Sequence, residues 1–599
     1  MHVLGLSCYF HDAAAALLRD GDLVAAAEEE RFSRIKHDYA FPRHAIDFCL
    51  RSAGIAGPDV DYVVFFEKPF VKFERLLLSS LQTFPRSYRV FREAMIGWLG
   101  DKLWIRHHIQ RELGVRLDRI LFSEHHLSHA ASAFFASPFP DAAILTVDGV
   151  GEWTTASLGR GSGTDVTLLK EIRFPHSLGL LYSAFTAFLG FEVNEGEYKV
   201  MGMAPFGTPR YVDKVWKLIR TAPDGSFELD LSYFYFHYAR EETFSRKFVD
   251  LFGPPRDPRA NFFTTASGYP SYFGPRPADF AALARQNEHY ADVAASIQAV
   301  TEEVLLNLAR AAHRETGLPR LCLAGGVALN SVANGRLLRE TPFEELYVQP
   351  AAGDGGAALG AALWGYHAVL GKPRGFVMDH AFWGQGHPPA AVEDFVRAQG
   401  LPALRLEDEA KLLDRVVEHI EAGQVVGWSQ DRFEWGPRAL GHRSILADPR
   451  RADMKDLVNT KIKFREPFRH FAPSVPVEHA EEYFALPDPD RHYPARFMLY
   501  VVDVHPARRD VIPAVTHVDG TARMQIVHRA ANPTYHRLIT RFGQATGVPV
   551  LLNTSFNLRG EPIVNTPAEA FSTFARSGMD VLVLGHCLLD KRDLPGVEA

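Results

Sequence analysis

The feature that most limits how this sequence can fold is a recurring one: apolar runs that stop at glycine. "AAILTVDGVG" ends on Gly149 and Gly151, "RLCLAGGVALNS" turns at Gly325 and Gly326, and "AAGDGGAALG" opens on Gly353, Gly355 and Gly356. A buried strand that runs into a glycine loop and then a helix exposes backbone N–H groups at the loop. Such loops are natural cradles for phosphate and nucleoside groups. None of them matches a P-loop or a GxGxxG fingerprint. The chain start reads as strand, turn, strand: "HVLGLSC", then "AAAALLRDGDLVAAAEEE" with a DG turn at Asp20-Gly21. Helices are expected over 42–56, 87–113 and 290–315, and a strand over 142–149. A strand is also expected to run into the glycine turn of 320–331, and residues 351–371 read as a glycine loop followed by a small-residue helix.

This succession resembles the α/β fold of actin-like ATPases (sugar-kinase/Hsp70-like), with two duplicated halves and a nucleotide in the cleft. At 599 residues the chain has room for more than one domain. The first is expected over 1–370. "GKPRGFVMDHAFWGQGHPPA" (371–390) has glycine, proline and no period, and reads as a linker. The pattern restarts over 391–599 with a helix, a strand in "QVVGWSQ", a basic stretch and strands near 497–503 and 547–553. Residues 222–290, rich in aromatics, Pro and Arg, read as an insertion that shapes a pocket. No solenoid repeat or low-complexity tract is present.

Composition narrows the function. Hydrophobic residues make up 47% and charged residues 23%, an ordinary globular balance, and the net charge is −7. That balance argues against a broad nucleic-acid surface, though not against a local basic cleft. Cys8, Cys49, Cys322 and Cys587 have no CxxC spacing, as expected of a reduced, cytoplasmic protein. No basic leader opens the chain, and His11 and Asp12 interrupt its first apolar run, so no signal peptide is expected. No eighteen-residue uncharged apolar stretch suggests a membrane span.

Three stretches carry chemistry. In "SEHHLSHAASAFF", His125 and His129 are four apart, which on a helix places both imidazoles on one face. Asp148 at a strand end and Asp354 in "AAGDGG" could add carboxylates. Two histidines and two aspartates suit iron, zinc or manganese. HxxxH alone is a weak signal, and a helix bearing core or surface histidines is the plain alternative. "SCYFHDAAAALL" sets His11 and Asp12 in a turn between apolar runs, where His11 can act as a base or merely shape the turn. Lys199 of "NEGEYKVMGMAPFG" either lines the cleft or sits on a solvated loop. Residues 431–470 hold ten Lys/Arg against six Asp/Glu, a local +4 in an acidic chain. Their arginines alternate with Trp435, Gly436, Pro437, Gly441 and Phe468. That suits a triphosphate better than an exposed helical charge run. "LLNTSFNLRGEP" adds Ser555 and Asn557, small polar groups able to orient a phosphate or acyl group.

Taken together, "HDAAAALLRDG", "AAAEEERFSRIKH", "HHLSHAASAFFASPF", "GEYKVMGMAPFG", "FEWGPRALGHRSI", "FREPFRHFAPSV" and "LNTSFNLRGEPIV" resemble, in order and over almost the whole chain, the NodU/CmcH O-carbamoyltransferase family of nodulation-factor and antibiotic biosynthesis. The resemblance implies a first domain similar to the tRNA threonylcarbamoyl-transferase and a second similar to the YrdC fold. It implies ATP, with Mg2+, and carbamoyl phosphate as co-substrates. Carbamoyl-adenylate forms in the second domain, and its carbamoyl group passes in the first to a hydroxyl of a small-molecule acceptor, a secondary metabolite or sugar. Carried over by motif, a divalent metal, iron foremost, falls on His125, His129, Asp148 and Asp354. His11, Asp12, Lys36, Lys463 and Arg469 become catalytic. Lys199, Gly325, Gly326, Asn330, Arg438, Arg443, Arg523, Ser555 and Asn557 bind nucleotide or phosphate. The expected partner is the small-molecule acceptor, without nucleic acid or membrane, and a homodimer is compatible with that reading. The rivals are a threonylcarbamoyl-transferase acting on tRNA, a sugar kinase, and a nucleotide-binding regulator without chemistry.

Overall fold

The computed structural model describes residues 1–594 apart from Asp101, residues 240–241 and Phe464. Phe464 of the basic stretch and residues 240–241 of the expected insertion therefore lie outside the described residues. The chain forms two compact units. The first comprises Met1–Ala26, Tyr39–Tyr269 and Pro275–Met378; the second comprises Ala27–Asp38, Pro270–Gly274 and the chain from Asp379.

The first unit holds two five-stranded sheets. Strands β1 (His2–Ser7), β2 (Ala14–Arg19), β3 (Asp22–Glu28), β4 (Tyr62–Phe65) and β5 (Ile120–Phe122) form one, in the order β3-β2-β1-β4-β5. The other holds β6 (Asp141–Val147), β7 (Thr154–Ser162) and β8 (Asp165–Arg173). After a small separate hairpin of β9 (Ile219–Thr221) and β10 (Phe227–Leu229), it is completed by β11 (Arg320–Ala324) and β12 (Glu345–Tyr347). Its order, β8-β7-β6-β11-β12, repeats that of the first sheet. In each, the leading strand is antiparallel to the next in sequence and parallel to the fourth, which is parallel to the fifth. The duplicated halves expected from the glycine-ended strands are present as this repeated topology.

The Asp354–Trp364 helix joins the two halves through small residues. An added Cβ at Gly5 of β1 would lie 1.9 Å from Ala358 O, and one at Gly360 would lie 1.9 Å from Ser128 O of the His125–Phe134 helix. Backbone thus touches backbone on both sides, and larger residues would force the elements apart. Two helix expectations change. Residues 87–113 form Tyr88–Gly100 and Ile105–Leu113, broken after the poor helix former Gly100 by a 3₁₀ turn, where Trp104 Nε1 donates to Leu99 O at 3.0 Å. The long helix begins at Phe280 and runs to Thr316.

The second unit is built on an eight-stranded sheet of β13 (Leu404–Arg405), β14 (Val426–Ser429), β15 (Arg443–Ala447), β16 (Ala472–Pro476), β19 (Gln525–Val527), β20 (Leu551–Ser555), β21 (Val581–Leu584) and β22 (Cys587–Asp590). A two-stranded ribbon of β17 (Val501–Asp503) and β18 (Thr521–Arg523) stands beside it. Helices Glu409–Glu421 and Pro533–Thr546 bury Leu412, Val416 and Ile420, and Tyr535, Leu538 and Phe542, against Trp428, Leu446, Leu551 and Val581 of the sheet. Burying that apolar seam is worth about 1.5–3 kcal/mol for each large side chain fully removed from water.

The short segment 27–38 is tied to the "FEWGPRALG" loop by charge. Arg31, 1% exposed, donates to Gly436 O at 2.6 Å, while Glu28 Oε1 accepts from Gly436 N at 2.7 Å. Burial, outweighing the pull of Arg31, raises the Glu28 carboxyl to about 7. Glu28 therefore binds its proton more tightly folded than unfolded, and its contribution to stability falls as pH rises from about 4.5 to about 7. Glu28→Gln keeps an acceptor for Gly436 N and is expected to remove that slope, a change on the order of 1–3 kcal/mol in denaturant melts compared at pH 5 and pH 8. A slope identical in both proteins would refute the assignment.

Candidate active site: a histidine–aspartate cluster and a cationic basin

In the first unit the helix that begins at His125 follows β5, so His125 and His129 share its buried face, as the spacing predicts. Asp148 follows β6 directly. Asp354 is the first residue of its helix, and the Gly360–Ser128 contact brings that helix against the histidines. The four ligand atoms all lie within 4.8 Å of one another. His125 Nε2 is 3.0 Å from Asp148 Oδ2, 3.1 Å from His129 Nε2 and 3.5 Å from Asp354 Oδ1. Two imidazole nitrogens facing each other at 3.1 Å, with two carboxylates beside them and Asp354 Oδ2 buried without a partner, form a donor set that a divalent cation would satisfy. Burial opposes charge on His129, but Asp148 and Asp354 outweigh it and raise its pKa to about 9. His126 faces elsewhere and pairs with Thr146 Oγ1 at 2.6 Å.

The glycine loop meets this cluster directly. Gly326 N donates to Asp148 Oδ1 at 2.9 Å. Gly325 holds φ +94°, and a Cβ there would lie 2.3 Å from Val147 O, so only glycine allows the loop to close on β6. Asn330 caps the Ser331–Glu340 helix and pairs with Gln298 of the long helix, whose Nε2 also reaches Glu302 at 2.7 Å. Lys199 lies on the Glu197–Met203 helix, 5.5 Å from the Phe191 ring. His11 and Asp12 occupy the loop between β1 and β2, half-buried, next to Phe10, whose ring centroid is 6.4 Å from that of His125. Lys36 lies in the segment that packs with the second unit.

The second unit gathers the basic stretch into one basin. Lys463, 3% exposed, donates to Ser555 and Asn557: Nζ is 2.8 Å from Asn557 Oδ1, 2.9 Å from Asn557 O and 3.3 Å from Ser555 Oγ, and it also bonds Ser555 O. Burial, then Arg465 and Arg469, hold its pKa well below the usual lysine range. Arg523 is depressed by burial and then by Arg438, Arg465 and Arg469. A set of cations that depress one another in this way fits a polyanionic ligand. Arg443 does not join it. Its guanidinium, 1% exposed, bonds the backbone carbonyls of Gln430, Asp431, His442 and Asn565, because Arg443 opens β15 facing inward. The same loop is held by Glu434, whose Oε1 accepts from Leu440 N and His442 N at 2.7 and 2.9 Å.

Sequence reasoning missed several members. Lys455, His470 and His517 adjoin the basin, with the two imidazoles 4.2 Å apart. Burial, with Arg523 and Lys455 working against Asp519, takes His517 down to about 4. Tyr272, from the expected insertion, donates to Arg465 O at 3.0 Å. In the first unit Glu67 and Glu152 flank His125, and the latter's carboxylate accepts His125 N at 3.0 Å. Lys455, Arg465 and His470 were available in the basic stretch, whereas nothing in the local sequence singles out Glu67 or Glu152.

Comparison with known proteins decides the family. The carbamoyltransferase N-terminus model matches residues 2–363, and the carbamoyltransferase C-terminus model matches 417–591. The chain belongs to the carbamoyltransferase family. This carbamoyltransferase is 40% identical to nodulation protein NolNO of Sinorhizobium fredii, over 98% of this chain and 79% of that one. It is 46% identical to an uncharacterized protein of Synechocystis sp., over 99% and 97%. It is 36% identical to the 3'-hydroxymethylcephem-O-carbamoyltransferase of Streptomyces clavuligerus over 45% of this chain and 49% of that one. The NodU/CmcH resemblance and the transferase assignment therefore hold. Among the described residues, no helix of this carbamoyltransferase is long and apolar enough to cross a membrane.

Proposed function

We propose that this carbamoyltransferase divides an ATP-dependent O-carbamoyl transfer between its two units. The second hydrolyses carbamoyl phosphate to carbamate and phosphate, and the carbamate attacks ATP to give carbamoyl-adenylate and pyrophosphate. The first passes the carbamoyl group to a hydroxyl of a small-molecule acceptor, whose proton is lost as AMP leaves. The observation that carries this reading is the separation of chemistries: a two-histidine, two-aspartate donor set lies wholly in one unit and a polycationic basin wholly in the other. The first unit takes the role of the threonylcarbamoyl-transferase-like domain and the second that of the YrdC-like domain.

In the basin, Arg438, Arg469 and Arg523 would grip phosphate oxygens. Lys463 would be held in place by Ser555 and Asn557 and would offset the repulsion between carbamate and ATP. Mg2+ would accompany the nucleotide. In the first unit His125, His129, Asp148 and Asp354 would hold a divalent metal, iron foremost, which when bound supplies Lewis acidity. Gly326 N orients Asp148, and Glu152 fixes the start of the His125 helix. His11 would take the proton of the acceptor hydroxyl, with Asp12 fixing its turn. General-base help of this kind is typically worth about 10²–10⁴-fold. His11→Asn is accordingly expected to slow transfer within that range while ATP consumption continues.

The decisive experiment follows pyrophosphate. Purified protein is expected to release pyrophosphate from ATP only when carbamoyl phosphate is present. Release without carbamoyl phosphate, or ADP and phosphate as the sole products, would overturn the adenylate route and favour a kinase-like activity.

A further inference from the structure

The Pro69–Gln82 helix turns two cations inward, Lys72 and Arg75, which are 3% and 5% exposed. Lys72 is matched: its Nζ lies 2.5 Å from Glu67 Oε2 and 3.5 Å above the Phe10 ring. Arg75 makes no hydrogen bond and no ion pair among the described residues, and its Nη1 is buried without a partner. Its guanidinium faces the Phe174 ring at 5.1 Å.

The two carboxylates that act on Arg75 from a distance are Glu67 and Glu152. Both are engaged elsewhere. Glu67 holds Lys72, and Glu152 accepts from the backbone N–H groups of Lys68 and His125 at 2.8 and 3.0 Å. Both also adjoin the metal-fitting cluster, since Glu67 is 3.9 Å from His125 Nδ1. Arg75 is therefore one carboxylate away from His125, and aromatic rings accompany the group: Phe10 against Lys72, Phe66 against His125 and Phe174 against Arg75. The Phe66 ring lies 5.4 Å from that of His125. Burial lowers the guanidinium to about 10, so it stays charged at neutral pH.

A buried guanidinium nitrogen left without a partner, as Nη1 of Arg75 is, costs on the order of 1–3 kcal/mol. Buried polar groups in folded proteins are almost all matched, so an unmatched one calls for an explanation, and a ligand that completes it supplies one. We propose that Arg75, backed by Lys72, binds an anionic group of the hydroxyl acceptor, a carboxylate or a phosphate carried on an aromatic or apolar body, and so positions the acceptor beside the His125, His129, Asp148 and Asp354 cluster. The planar guanidinium favours a bidentate partner of this kind. The inference rests on the reading that the first unit receives the acceptor.

The test uses binding alone, without ATP or carbamoyl phosphate, so a failure of the adenylate route leaves it untouched. Three matched probes, 4-(hydroxymethyl)benzoate, 4-(hydroxymethyl)phenylphosphonate and the neutral 4-(hydroxymethyl)benzamide, are titrated calorimetrically into the full-length protein. The wild type is expected to bind at least one anionic probe about tenfold or more tighter than the amide, and the better anion names the source. Arg75→Gln is expected to abolish that preference and Arg75→Lys to keep part of it. Phosphonate taken up by the basin of the second unit is common to all variants, so the preference assigned to Arg75 is the part by which the wild type exceeds Arg75→Gln. No preference in the wild type, including no binding of any probe, overturns the proposal, as does an anion preference that is undiminished in Arg75→Gln. Without probe, Arg75→Gln is expected to melt at or above the wild-type temperature, because it removes an unmatched charge. A fall of more than about 4 °C would instead make Arg75 a structural counter-ion and also overturn the proposal.

Discussion

Asp354→Ala is expected to abolish carbamoyl transfer while carbamoyl-phosphate-dependent pyrophosphate release continues. Asp354 supplies one of four donor atoms grouped within 4.8 Å, and its second oxygen is buried with no other partner. Alanine leaves three donors and an open side. A Lewis-acid contribution of several kcal/mol corresponds to roughly a thousandfold or more in rate. Metal analysis of the purified proteins is the second readout: bound divalent metal in the wild type and much less in the variant. Because pyrophosphate release reports on the second unit, folding of the first is checked separately, by a melting transition of the variant that matches that of wild-type protein stripped of metal. Wild-type protein that is metal-free and fully active in chelator would remove the cluster from the chemistry altogether.

Arg469→Ala is expected to give the mirror image. Carbamate and ATP are both anions, and the basin is where this acidic chain concentrates positive charge. Arg469 is one of the groups that depress both Lys463 and Arg523, so it stands within electrostatic reach of each. Deleting one preorganised cationic contact in a buried site typically costs about 10²–10³-fold. Pyrophosphate release should fall by at least that much, and added carbamoyl-adenylate should restore transfer. If release is unchanged, or if added adenylate fails to restore transfer in a folded variant, the division of labour between the units is wrong. Arg443→Ala behaves differently. Its guanidinium is committed to carbonyls of its own loop, so its loss is expected to lower stability rather than to act on one half-reaction alone.

The parts of this protein that could be read from sequence are those whose chemistry repeats over a few residues. The glycine-ended strands gave away the duplicated sheets, because a close backbone approach admits little else. His125 and His129 were visible because a helix converts a spacing of four into a shared face. Lys463, Ser555 and Asn557 were found by motif and do meet. What was hidden depends on contacts distant in sequence. Arg75 on its helix looks like any charged residue of an amphipathic segment, and only the fold turns it inward. Segment 27–38 begins within the last two residues of β3, and only the pairing of Glu28 and Arg31 with Gly436, some four hundred residues later, reveals which unit it joins. Arg443 reads like its neighbours Arg438 and Arg450, yet its place at the start of an inward-facing strand commits it to the backbone.

Gly360 has a further consequence. Because the Asp354–Trp364 helix rests on Ser128 O with no side chain between, the gap between Asp354 and the two histidines is set by main-chain contact. That gap works as a fixed gauge. Neither helix can slide over the other without a main-chain clash, so the spacing of the donor atoms is set by the backbone itself. A substitution elsewhere in the unit can then leave the spacing of His125, His129 and Asp354 as it is, provided Gly360 stays a glycine.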